Sequence, residues 1–183
     1  MVHSFRQIPS FGFDTIRVFA NNASEMKKLA AQDFEDLLQC SIPVFEGLIP
    51  EPFNSRLMKL LYRMAEWHAL AKLCVQTDRT LETLQKLTEE FGKLMRQFRD
   101  LCNDNFQTFK LPKEQVNRKC RNAEKAAAGG AVPNVQQGKR CKTLNLFTYK
   151  FHALGDYVSA ISLFGPSDSF STQLVRNPSI LNH

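Results

Sequence analysis

Apolar residues recur along this chain at steps of three and four, the spacing that lines up side chains on one face of a helix. After Asn22, which can cap a helix with Glu25 three residues on, Met26, Leu29, Ala30, Phe34, Leu37 and Leu38 form a first stripe. Pro43 then interrupts, and IPVFEGLIPEPFN, with prolines at 43, 50 and 52, predicts a bent connector. From Asn54 a second stripe runs through Leu57, Leu60, Leu61, Met64, Ala65, His68, Ala71 and either Leu73 or Cys74, which predicts a helix of about twenty residues. Thr77 and Asp78 are placed to cap the next one. There Leu84, Leu87, Phe91, Leu94, Phe98 and Leu101 alternate steps of three and four, the seam spacing of a helical hairpin or coiled-coil-like pair. This longest helix is expected from Asp78 to Asn105, weakened by up to about 1 kcal/mol at Gly92. Near the C-terminal end, Tyr149, His152, Tyr157, Val158, Ile161 and Phe164 can share a helical face that stops at Gly165-Pro166.

The pattern predicts an all-α fold of four to five helices, one of them long and forming a helical hairpin, followed by a basic flexible linker and a short C-terminal helix. The expected organisation is an irregular segment over 1–20, a helical subdomain over 21–111, the linker over 112–142, a C-terminal helix segment over 143–166 and an irregular tail over 167–183.

With 183 residues, 43% hydrophobic and 23% charged, the chain can bury a core of its own. The net charge of +6 is concentrated: between positions 113 and 142 stand eight cations (Lys113, Arg118, Lys119, Arg121, Lys125, Lys139, Arg140, Lys142) against Glu114 and Glu124. The same stretch holds AAAGGAVPNVQQG, whose paired glycines, proline and small or amide side chains supply no packing face and read as flexible. Five widely spaced cysteines without a CxxC pair indicate neither a disulfide framework nor a zinc knuckle. No run approaches the roughly 18 apolar residues of a membrane span, and MVHSFRQIPSFGF lacks the apolar core of a secretory signal. The expectation is a soluble protein, nuclear or cytoplasmic. Phosphate-binding glycine loops, GxSxG, HExxH and GxGxxG are missing from the sequence, so no cofactor is expected.

Three segments in order carry a family resemblance. TYKFHALGDYVSAISLFGPSDSFSTQ (148–173) resembles a signature near the C-terminal end of the Plavaka-type DNA transposases of fungi, in the Kyakuja-Dileera-Zisupton superfamily. DFEDLLQCSIPVFEGLIPEP (33–52) is similar to the family's stretch before its long helices, and AEWHALAKLCVQTDRTLETL (65–84) to its Trp-His-Gly-Leu-Ala-Lys-Leu segment. Here Ala69 replaces the usual glycine, and Cys74 and Gln76 stand where a basic residue and a histidine are common. The likeness covers about residues 11–173. It implies descent from a mobile-element transposase whose RNase H-like domain holds two divalent ions on two aspartates and a glutamate. In relatives the carboxylate-bearing strands precede the region matched here, and after Ser171-Thr172-Gln173 this chain departs from the family's acidic run. The resemblance therefore implies a truncated remnant, not an enzyme, with neither catalytic nor metal-binding residues of its own. Its motif residues Trp67, His68, Tyr149, His152, Asp156 and Tyr157 are expected to be structural.

The candidate chemistry is correspondingly narrow. His68 in an apolar stripe reads as a hydrogen-bonded core residue, and His152 and Asp156, four apart, can pair on one helical face as a buried polar clamp. The eight cations read equally as a non-specific DNA contact, through counterion release, or as a solvated linker. A second class of function is a helical interaction module, in which the Leu84–Leu101 seam associates with another copy or with a full-length transposase. Seam residues covered by the Trp67 helix would favour the first class, and uncovered ones the second.

Overall fold

The computed structural model describes residues 5–9, 19, 23, 26, 29–130 and 141–169. It is all-α: α1 spans Ala31–Phe45, α2 Phe53–Ala71, α3 Asp78–Asn105, α4 Pro112–Ala127, α5 Tyr149–His152 and α6 Tyr157–Phe164, with 3₁₀ turns at Ala153–Asp156 and Ser167–Ser169. No strand occurs among the described residues, only an isolated antiparallel bridge between Phe109 and Cys141. No helix among them is long and apolar enough to cross a membrane. The chain divides into two compact units, residues 1–98 with 147–183, and residues 99–146.

In the first unit α1 differs from its sequence pattern in start, end and phase. Residues 23, 26, 29 and 30 are not helical, and the expected cap by Asn22 and Glu25 lies outside the described residues. The helix instead begins after Ala30, whose N–H donates to the Asp33 carboxylate at 2.7 Å, so an acid in the first turn satisfies a donor the helix cannot. Pro43 is inside the helix, two residues from its end, where it removes only one backbone bond. The buried face is Asp36, Cys40 and Val44, while Phe34 of the expected stripe is 58% exposed. Packing decides this phase: Cys40 and Val44 form a cluster with Phe5 and Phe19, and the Phe5 ring meets Phe19 and Phe45 edge-on at 5.5 and 6.4 Å. Buried Asp36 accepts a bond from Gln32 Nε2 at 2.9 Å.

The connector before α2 is bent but shorter than predicted, because residues 42–45, with Pro43, continue α1 and α2 begins at Phe53, leaving only 46–52 between the helices. Gly47 turns it at φ 69°, its N–H donating to Asn54 Oδ1 at 3.0 Å. Glu51 accepts from the Ser55 hydroxyl and N–H, which holds its carboxyl below the usual range. At the start of α3 Thr77 and Thr80 cap each other: the Thr80 N–H donates to Thr77 Oγ1, and the Thr77 N–H to Thr80 Oγ1.

A second cluster of the first unit joins α2, α3 and α6. Trp67, Ala71, Leu84, Leu87 and Ile161 are buried together, with Leu70, Leu81, Leu154, Tyr157 and Val158 packed around them. The Trp67 indole donates to Thr88 Oγ1 at 2.8 Å, and Thr88 in turn donates to the Leu84 carbonyl at 2.7 Å. The Ser167 hydroxyl donates to the Ala71 carbonyl at 3.0 Å, tying the segment after α6 to the end of α2. Only the first half of the expected seam is core: Leu84, Leu87 and Phe91 are buried, whereas Leu94, Phe98 and Leu101 are half-exposed.

In the second unit the expected linker is corrected. Residues 112–127 form α4, because Pro112 occupies the first helical position, Glu114 accepts from the Leu111 N–H at 3.2 Å, and Lys, Arg, Gln, Glu and Ala all favour helix. The paired glycines stop it: Gly129 takes φ 75°, its N–H donates to the Ala126 carbonyl, and that of Gly130 to the Lys125 carbonyl at 2.9 Å. Residues 131–140, ten of the 31 in the expected linker, and the tail from 170 onward lie outside the described residues.

Two substitutions test this account of the core by chemical denaturation. Trp67→Ala should lower the unfolding free energy by about 3–5 kcal/mol. Gly92→Ala should raise it by up to about 1 kcal/mol, since the added methyl meets only the flexible end of Arg96, 3.4 Å away.

Candidate nucleic-acid interface

The charge asymmetry of the sequence follows the division of the fold. Residues 99–146 hold ten cations and four anions, the whole net +6, while the remainder balances fourteen against fourteen. Leu146 is the one buried side chain among the described residues of this unit. Its order comes from local bonds. The Lys142 N–H donates to the Thr108 carbonyl at 2.8 Å, and the Thr108 hydroxyl donates to the Lys142 carbonyl. Phe109 bridges Cys141, and Lys142 Nζ reaches Glu114 Oε1 at 2.7 Å. The bond from Lys142 is the main reason the Glu114 carboxyl titrates below its ordinary value.

Along α4 the positions 114, 118, 121 and 125 fall within about 60° of arc, and the last three span about 10 Å of helix. Arg118, Arg121 and Lys125 on this stripe are exposed, and no hydrogen bond or ion pair ties their side chains to another described residue. Lys119 is exposed too, but points about 100° away from Arg118. Lys142 is engaged by Glu114. The backbone of Lys113 lies in the first turn of α4, and Lys139 and Arg140 lie outside the described residues. The eight predicted cations are thus sorted into one open row of three, a fourth held at its start and a fifth on another face. Charge counting registers Glu114 only as an anion and not as the partner of Lys142, although its place three residues after Leu111 and four before Arg118 is the available signal.

The family-motif residues form no site together. Trp67 and Tyr157 meet edge-on, ring centroids 4.9 Å apart, inside the first unit's core. His68 is only half-buried, and its Nε2 lies 3.9 Å from the Glu35 carboxylate, which Lys72 holds at 2.8 Å. Burial pushes the His68 imidazole below its ordinary pKa, against the pull of Glu35 and with the push of Lys72. The expected buried clamp of His152 and Asp156 is not formed: both are exposed and unbonded to each other, because the 3₁₀ turn at Ala153–Asp156 breaks the regular four-residue spacing. Tyr149 and Phe164, expected on the same face, are 85% and 69% exposed.

Among the described residues no three His, Cys, Asp or Glu side chains gather as a metal site requires. None of the five cysteines is in a disulfide, and burial, with Asp36 beside it, raises the Cys40 thiol pKa. No protein-family model, curated protein or solved structure matches the chain.

His68 makes stability pH-dependent with a definite sign. Its folded pKa lies below that of the unfolded chain, so the unfolded state takes up the proton first and stability falls as pH drops through about 6.5. Denaturation midpoints measured from about pH 7.5 to about pH 5.5 should decline in the parent and less steeply in His68→Gln. An identical decline in the two proteins would remove His68 as the cause.

Proposed function

We propose that the chain is a non-specific DNA-binding protein of transposase-like descent that performs no strand transfer itself. The observation that carries this reading is the open row Arg118, Arg121 and Lys125 on α4, in a unit that holds the entire net charge and a single buried side chain among its described residues. Cations engaged within the protein gain little from phosphates; these three have no such competitor among the described residues. Each phosphate they neutralise releases counterions, which gives affinity without sequence preference. The ordered likeness of residues 33–52, 65–84 and 148–173 to the Plavaka-type transposases supports the ancestry. The cover that Trp67 and Ala71 give to Leu84 and Leu87 favours this reading for the first half of the seam, while the half-exposed Leu94, Phe98 and Leu101 leave a helical interaction module as the second reading.

Binding to a mixed-sequence DNA should weaken steeply with salt. In the triple variant Arg118→Gln, Arg121→Gln, Lys125→Gln, the slope of log affinity against log salt should become shallower by about 3. Equal slopes in parent and variant, or no binding by the parent at low salt, would overturn the proposal.

A further inference from the structure

The α4 row does not end at the helix. Glu114 stands on the same stripe one turn before Arg118, and it holds Lys142. Lys142 is hydrogen-bonded to Thr108, the residue before Phe109. The bridge that places Phe109 opposite Cys141 is therefore anchored at the start of the cation row. Phe109 is 42% exposed and makes no ring contact with a described residue. A partly exposed aromatic ring, tied through Lys142 and Glu114 to the start of a row of cations that have no partner among the described residues, is a combination suited to single strands: the cations follow the backbone while an unstacked base lies on the ring. In a duplex the base faces are already stacked, so the ring adds nothing there.

We propose, building on the nucleic-acid reading above, that this surface takes single-stranded nucleic acid, with Phe109 as a base-stacking platform and Arg118, Arg121 and Lys125 as the backbone track. Lys142 acts as a positioning residue, holding the Phe109 segment against α4 through Glu114.

Two cysteines provide an internal control. Cys141 is exposed directly across the bridge from Phe109, so their side chains rise on the same side. Cys120, also exposed, lies about 130° around α4 from the row.

The experiment measures binding of a labelled single strand of about 16 nucleotides, and of the matching duplex, by fluorescence anisotropy at moderate salt. The expected result is tighter binding of the single strand. Phe109→Ala should lose roughly 5- to 100-fold on it and little on the duplex, with Phe109→Tyr restoring affinity and Phe109→Leu failing to. The single strand should also protect Cys141 from alkylation, read by mass spectrometry, and leave Cys120 reactive. Equal affinity for the two probes with no effect of Phe109→Ala would overturn the single-strand inference and leave the electrostatic reading standing. Binding of neither probe would remove both.

Discussion

The indole of Trp67 is the point at which three distant stretches of the first unit are made into one structure. Its N–H is satisfied by Thr88 on α3, its ring is met by Tyr157 at the start of α6, and its neighbours in the core are Ala71, Leu84, Leu87 and Ile161. A buried Trp needs both apolar surroundings and a hydrogen-bond acceptor, and few side chains other than a threonine folded back onto its own helix can supply the latter there. Thr88 donates to the Leu84 carbonyl and accepts from the indole, so one hydroxyl serves two elements. With that contact made, the short α6 can bury Ile161 although its Leu163 and Phe164 remain exposed.

The second unit is organised by a different kind of constraint. Leu146 is its one buried side chain among the described residues, and a 16-residue helix is marginal in water on propensity alone. Order is imposed at the two ends of α4: Pro112 and Glu114 at the start, the Gly129-Gly130 stop at the finish, and the Lys142 clasp over the first turn. Each contributes modestly, and exposed ion pairs especially so. The proposed binding face depends on these end constraints only in so far as they keep α4 helical, since the helical period itself brings Arg118, Arg121 and Lys125 into line.

How far these features are legible in the sequence depends on the range of the interaction that sets them. The long helix is predicted with its observed ends, Asp78 and Asn105, because its cap is local and its seam periodic. The phase of α1 is not legible, since it is chosen by Phe5 and Phe19, which carry no periodic signal of their own. The basic stretch misleads for another reason: a strongly charged, glycine-terminated run looks like linker when charge is weighed ahead of helix propensity, yet Leu111-Pro112 and Gly129-Gly130 are ordinary start and stop signals. The pairing of Trp67 with Tyr157 spans 90 positions and lies beyond any local rule, as does the choice of Glu114 as the partner of Lys142. His152 and Asp156 show the converse error, where regular helical spacing is assumed across a turn that tightens.

Because the first unit is charge-balanced with an apolar core and the second carries all the excess charge with one buried side chain among its described residues, a salt such as a sulfate acts on them with opposite sign. Strongly hydrated anions such as sulfate favour burial of apolar surface, and so consolidate the Trp67 cluster. The same ions screen the α4 row and loosen the Lys142–Glu114 contact. The concentration of such a salt thus becomes a dial that turns the stability of one part up as it turns the reach of the other down.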